Sequence, residues 1–403
     1  MNHPLTILFG GVLLVLSACQ TKVPTEPAHP WQVDLDFFGQ TLAQKHKNLF
    51  AQLPEAEFER ALAELRAVAP ELSEAAMLIE LEQILARIGD AHTRIEAADR
   101  RSALPFRVSW LAEGLVLTAI EATQADYLGE TLSHINGQPV AAVIDQFRQV
   151  ITYENESHFK FQFSRQLHYA EYHYFFDWLA PGQDVALRFT TGESVALAPL
   201  ANDLSRIQLP DPPLFLQKPR VNYWMRPLVE SAMVYLQYNR CREAPDVPMT
   251  DFAAALVQEL QANPGIQKVV LDVRRNGGGN STVFRPLLAV LKELVDSGRL
   301  AHDQIYVFIG RNTFSSAVLN VLELERTLDP VFVGEPTGGK PNHFGELKNF
   351  RLPNSGLRVW YSTKYFQLSD DDLDAFYPDQ VVELSLADLL AGIDPALEWV
   401  KEN

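Results

Sequence analysis

Four short stretches carry side chains whose types and spacing could do chemistry. In LDVRRNGGGN, three successive glycines (Gly277, Gly278 and Gly279) let the backbone approach a ligand and point N–H groups at it. A phosphate loop would use the same device, but no Gly-Lys-Ser/Thr follows, and Thr282 stands where a GxGxxG pattern needs its last glycine. What remains is an anion nest able to receive an oxyanion, or else a plain irregular turn. In RNTFSSAVLN, the hydroxyls of Thr313, Ser315 and Ser316 stand just ahead of a helix-like apolar run. A serine there can cap the helix. It also sits where the helix dipole favours an alkoxide or a tetrahedral oxyanion. GEPTGGKPN sets Lys340 behind two glycines. At the surface it is a solvated cation; buried, it is a neutral amine that can serve a serine as general base. IGDAHTRI supplies His92, whose imidazole needs little tuning to move protons near neutral pH, or which fills a structural place.

These residues must be positioned by larger elements. From Trp31 to about Ile88 the periodicity is helical. Pro54 opens one helix, with Phe58, Leu62, Leu65 and Val68 on one face. Ser73 caps the next, with Leu78, Leu81, Leu85 and Ile88 as its stripe and Gly89 as its stop. From about Ala103 to Pro199 the period shortens. GLVLTAI reads as a buried strand, Asn136-Gly137 as a tight hairpin turn, and VAAVIDQFRQVI as a helix. The aromatic run HYAEYHYFFDW is either core or the wall of a cleft. LPDPPLFLQKP marks a boundary, and from about Asn222 strands and helices alternate in an α/β pattern. Three of those strands end in the three loops above. Ligands in open α/β sheets collect at the carboxyl ends of strands, so the loops are expected together.

The chain has 403 residues, 47% hydrophobic, enough for a large core and for two or three domains. A net charge of −17 with no basic run excludes nucleic acid as a partner. LTILFGGVLLVLSAC is an apolar segment too short for a comfortable membrane span and ending in small residues, which reads as an export signal. QTKVPTEPAHP then reads as a tether. The chain has only two cysteines, Cys19 and Cys241. There is no CxxC or HExxH, and the loose spacing of His168, Glu171 and His173 in HYAEYH reads as packing, so no metal or other cofactor is expected.

Taken in order, VVLDVRRNGGG, NTFSSA, VGEPTGGK and YPDQVVELSLADLLAGIDPALE resemble the motifs of the tail-specific (C-terminal processing) serine peptidases, with features of their tricorn-like relatives. The resemblance covers about Asn222 to Asn403. It implies an α/β fold with a crotonase/ClpP-like catalytic domain over 206–403, an N-terminal helical domain over 31–98 and a partial PDZ-like, β-rich module over 99–205. It also implies serine endopeptidase activity on a polypeptide substrate. Ser315 falls on the nucleophile, and Ser316 on the residue whose N–H completes the oxyanion hole with the Gly277–Gly279 loop. Lys340 matches the base of the Ser-Lys branch and His92 that of the tricorn-like branch, so both stay candidates. Val318 stands where the lysine branch has a glutamate. Asp372 and Asp374, ahead of Pro378-Asp379, match a supporting acid. Leu16-Ser17-Ala18-Cys19 resembles a lipobox. By that resemblance residues 1–19 are a lipoprotein signal, 20–30 the tether, Cys19 the lipidated residue, and the location the bacterial envelope, at the outer membrane facing the periplasm. A catalytically silent ligand- or peptide-binding lipoprotein on the same fold is the alternative.

Overall fold

The computed structural model describes residues 29–96, 101–199, 204–209 and 211–403. Cys19, the apolar leader and most of the tether lie outside the described residues. No helix among the described residues is long and apolar enough to cross a membrane.

The largest sheet has six strands, in the order Gln380–Val381, Val331–Gly334, Ile305–Ile309, Lys268–Asp272, Met233–Tyr238 and Tyr223–Leu228. The first five run parallel, with Leu236 opposite Leu271 and Leu271 opposite Val307; the edge strand Tyr223–Leu228 is antiparallel. Strands such as IYVFI are continuous apolar runs because helices cover both faces of the sheet. On one face Leu236, Leu271 and Val307 pack with Leu256, Leu287, Leu291 and Leu324 of the helices Met249–Ala262, Arg285–Asp296 and Ser316–Leu328. In a second cluster Tyr235, Val270 and Phe308 pack with Ala396, Leu397 and Val400 of the last helix, Pro395–Glu402. Asp394 caps that helix and also binds Arg274, which in turn holds Asp272 at the end of its strand.

The helices Pro30–Lys45, Glu55–Val68 and Glu74–Ile88 do not form a core alone. Leu42, Leu81 and Leu85 share one with Phe350, Val359 and Tyr361, from the hairpin of His343–Arg351 and Arg358–Phe366. The short strand Arg94–Glu96 joins the same sheet, with Ile95 opposite Val359. His92 therefore directly precedes a strand that pairs with the second strand of the hairpin beyond the Gly-Lys loop. The expected details hold locally. Ser73 Oγ accepts the N–H of Ala76, and Gly89 ends the helix at φ 73°.

Between these parts lie two small antiparallel sheets and three helices. Asn136 and Gly137, at φ 49° and 77°, form the expected turn between Leu132–Ile135 and Gln138–Pro139. The aromatic run is mostly core: Tyr172 packs with Phe147, which also meets Phe163.

Candidate active site

Ser315 immediately precedes the helix Ser316–Leu328, at φ 53° and ψ −126°, and its hydroxyl makes no capping bond. Side chains rarely adopt such a backbone, and it persists only where its surroundings impose it. Here three loops do so. The N–H of Phe314 donates to the carbonyl of Asn276 (3.0 Å) and that of Gly339 to Thr313 (3.2 Å). Ser316 Oγ donates to the carbonyl of Gly279 (2.7 Å). Thr313 has the purely structural part: its hydroxyl donates to Val273 O and accepts the N–H of Gly310, each at 3.0 Å. A Cβ at Gly339 would stand 3.3 Å from Ser315 N and 2.8 Å from Val318. Gly339, the second glycine of this loop, is thus what lets it close on the turn that carries Ser315.

The glycine loop divides into two kinds of position. Gly277, Gly279 and Ser316 border the cleft beside Ser315. Among the described residues no hydrogen bond occupies their N–H groups. Gly278 does not border it: its N–H donates to Asn276 Oδ1 at 3.0 Å. That corrects the expectation for Gly278, which cannot give the same proton to an oxyanion. Gly278 instead packs behind the serine, where a Cβ would lie 2.9 Å from Ser315 Cβ. Asn276 organises the turn. It is fully buried, and its amide also donates to Tyr238 O at 3.0 Å.

His92 borders the same cleft as Ser315. Its ring stacks on Phe314, the neighbour of the serine, with centroids 4.6 Å apart; His158 also stacks on Phe314, at 4.3 Å. Two carboxylates face His92 Nδ1: Glu154 Oε1 at 3.3 Å and Asp90 Oδ1 at 3.7 Å. Asp90 is fixed by His46 Nε2 (3.0 Å), by the Thr93 hydroxyl (2.5 Å) and by the backbone N–H of His92 (2.9 Å). Burial opposes its charge, but His46, the neighbouring His92, Thr93 and Ser362 outweigh this and bring Asp90 down to about 2. Burial, with His92 nearby, pushes His158 down to about 4 against the pull of Glu154. Burial likewise lowers His343, which stacks on His92 at 5.9 Å. Burial therefore favours the neutral form of both His158 and His343.

Lys340 is not brought to Ser315. Its ammonium points to Asp374 (3.4 Å) and Asp372 (3.6 Å), both largely exposed, and its side chain does not border the cleft. The expectation of Lys340 as base is corrected on that geometry. So is that of Asp372 and Asp374 as acids supporting a histidine: their partner is the lysine. Lys340 contributes its backbone, whose N–H donates to Glu154 Oε2 at 2.9 Å. Glu154 was not singled out from the sequence. It lies in ITYENESHF, directly before Asn155, which caps the next helix by accepting the N–H of His158. Asn155 also donates to Thr337 O (2.9 Å) and Asp374 O (2.7 Å), so one loop fixes both Glu154 and the Gly-Lys turn.

The cleft has a volume of about 1170 Å³ and extends past Tyr169, Tyr172 and Phe161. The aromatic run thus provides wall as well as core. His173 is fully buried and bonds the carbonyl of Leu167 (2.7 Å), while Glu171 accepts the N–H of Ser102, so HYAEYH does not converge on a metal.

This architecture has neighbours among the solved structures, and they include tail-specific (S41) peptidases, the family that the motifs resemble. A structure of mature CPAF complexed with lactacystin superposes with a TM-score of 0.63 at 13% identity, over 92% of this chain and 97% of that one. A crystal structure of mature CPAF does so with 0.61 at 13%, over 92% and 96%. The photosystem II D1 C-terminal processing protease matches at 14% identity over 91% and 98%, with a TM-score of 0.41. At these identities the likeness establishes the fold. No family model matches the sequence, and no curated protein does.

Proposed function

We propose that the protein is a serine endopeptidase in which Ser315 attacks a peptide carbonyl and His92 is the general base. One observation carries this reading: an uncapped serine in a strained backbone at a helix start shares a cleft with a buried histidine that faces a carboxylate. Glu154 is the orienting acid. Its charge, 3.3 Å away, favours the proton on Nδ1, which leaves the Nε2 lone pair to accept the proton of Ser315. The oxyanion is received by the N–H of Ser316, aided by the helix dipole, and by the N–H groups of Gly277 or Gly279. An acyl-enzyme forms on Ser315, the amine leaves with the proton from His92, and water deacylates the serine.

The finer assignments belong to the same proposal. They are a crotonase/ClpP-like arrangement of the catalytic part, a PDZ-like middle module and a polypeptide substrate from the bacterial envelope. The lipid anchor at Cys19 and the outer-membrane address complete it. The decisive test pairs cleavage of an unfolded protein with labelling by a fluorophosphonate. The expected result is both activities in the wild type and neither in Ser315→Ala. Cleavage by Ser315→Ala at the wild-type rate overturns the reading.

A further inference from the structure

We propose that Asp90, His92 and Glu154 form a site for Zn²⁺ whose occupation switches His92 off as a base. The switch rests on His92 being the base; the metal site itself does not. Asp90 and His92 follow the helix Glu74–Ile88, and Glu154 precedes the helix Glu156–Gln166. One potential ligand atom from each lies within 4.8 Å of those of the other two.

Four observations point to a cation. The three side chains are 1%, 4% and 5% exposed, yet neither ring nitrogen of His92 nor Oε1 of Glu154 has a hydrogen-bond partner. Buried polar atoms are ordinarily satisfied, so these are poised for something else. The separations of 3.3 and 3.7 Å are long for a charge-assisted hydrogen bond, which is about 2.7–2.9 Å. The shorter matches the edge of a tetrahedron with bonds of about 2.0–2.1 Å, which is roughly 3.3 Å, and the longer exceeds that edge by about 0.4 Å. The remaining carboxylate oxygens are anchored as outer-shell partners would anchor them. Asp90 Oδ2 is held by His46 and Thr93, and Glu154 Oε2 by the N–H of Lys340. Finally, one imidazole and two carboxylates form a donor set that Zn²⁺ takes readily. Because His92 borders the cleft, water can supply a fourth ligand.

The consequence follows from the tautomers of imidazole. A neutral ring has one N–H and one lone pair. Metal on Nδ1 uses the lone pair there and leaves the proton on Nε2. That nitrogen can then no longer accept the proton of Ser315. Metal binding and general-base action at His92 exclude one another, and the metal has no catalytic part.

The test uses the full chain and the metals alone. Calorimetry with Zn²⁺ and visible absorption with Co²⁺ are run on Ser315→Ala, which keeps all three ligands. One metal per chain, a raised Tm, and at least tenfold weaker binding in both Glu154→Gln and Asp90→Asn are expected. Two variants are needed because Asp90 also ties down His46 and Thr93. No binding by a folded Ser315→Ala protein, or equal affinity in Glu154→Gln, overturns the site. With active wild type, Zn²⁺ should inhibit with a midpoint at the calorimetric Kd, and EDTA should restore full activity. Binding without inhibition of an active enzyme overturns the switch. Binding by a protein that cleaves nothing, even with EDTA present, refutes the peptidase reading and leaves the metal site standing.

Discussion

Replacing Glu154 by glutamine keeps the shape of the side chain and removes its charge. In the proposed reaction His92 becomes an imidazolium as Ser315 attacks, and Glu154 Oε1 lies 3.3 Å from its Nδ1. With an effective dielectric of about 20, two unit charges at that distance interact by about 5 kcal/mol. Asp90, 3.7 Å from the same nitrogen, still supplies part of this. The loss in kcat is therefore expected at about 10²- to 10³-fold, below the ~10³·⁷ that about 5 kcal/mol would give. KM should change little, because the interaction grows only in the transition state. The assay is steady-state cleavage of an unfolded protein substrate in metal-free buffer, with urea unfolding alongside. The fold should hold, since the amide oxygen can still accept the N–H of Lys340. A loss in kcat below tenfold, with His92→Ala and Ser315→Ala both inactive, would refute Glu154 as the orienting acid.

Three further outcomes follow from the same contacts. Lys340→Ala should retain activity within a few-fold and lose no more than about 1 kcal/mol in urea unfolding, because its partners are exposed carboxylates; an inactive, folded variant would restore lysine as the base. Gly278→Ala should be destabilised by about 2–4 kcal/mol and lose cleavage more than 10²-fold. Its φ is 98°, and the new methyl would press on Ser315 Cβ and Ser316 N; wild-type rates in this variant would mean that the glycine loop does not set the serine. Acid stability should depend on His173, which burial holds at about 4 despite its bond to the carbonyl of Leu167. Since the unfolded imidazole protonates near 6.5 and the folded one near 4, its contribution is complete above the first value and disappears as pH falls toward the second. Between pH 7 and 5 that is about 2 kcal/mol, so His173→Phe should flatten the pH dependence of urea unfolding by this amount.

Much of the site was legible because it is local. A strand, a glycine loop, a serine ahead of an apolar helix and a Gly-Gly-Lys turn can each be read within ten residues, and the parallel order of the strands puts their loops at one sheet edge. The strand His343–Arg351 was less legible: HFGELKNFR is exposed along its middle, so no apolar alternation marks it. Its register comes from the partner Arg358–Phe366. The role of Gly278 was hidden for another reason. All three glycines offer the same N–H in the sequence, and only the folded position of Asn276 shows which one is taken.

The sequence by itself determined the strand-and-loop grammar, the serine at the helix start and the two possible bases. Tertiary structure brings His92, and not the ammonium of Lys340, to the cleft beside Ser315 and sets Glu154 against it. Lys340 is adjacent to the Ser315 turn through Gly339, yet its ammonium is drawn outward by Asp372 and Asp374. His92 and Glu154 lie far apart in the chain and meet only because a strand after His92 joins the hairpin beyond the Gly-Lys loop. Side-chain direction and long-range pairing depend on which surfaces are buried together, and no window of sequence contains that information.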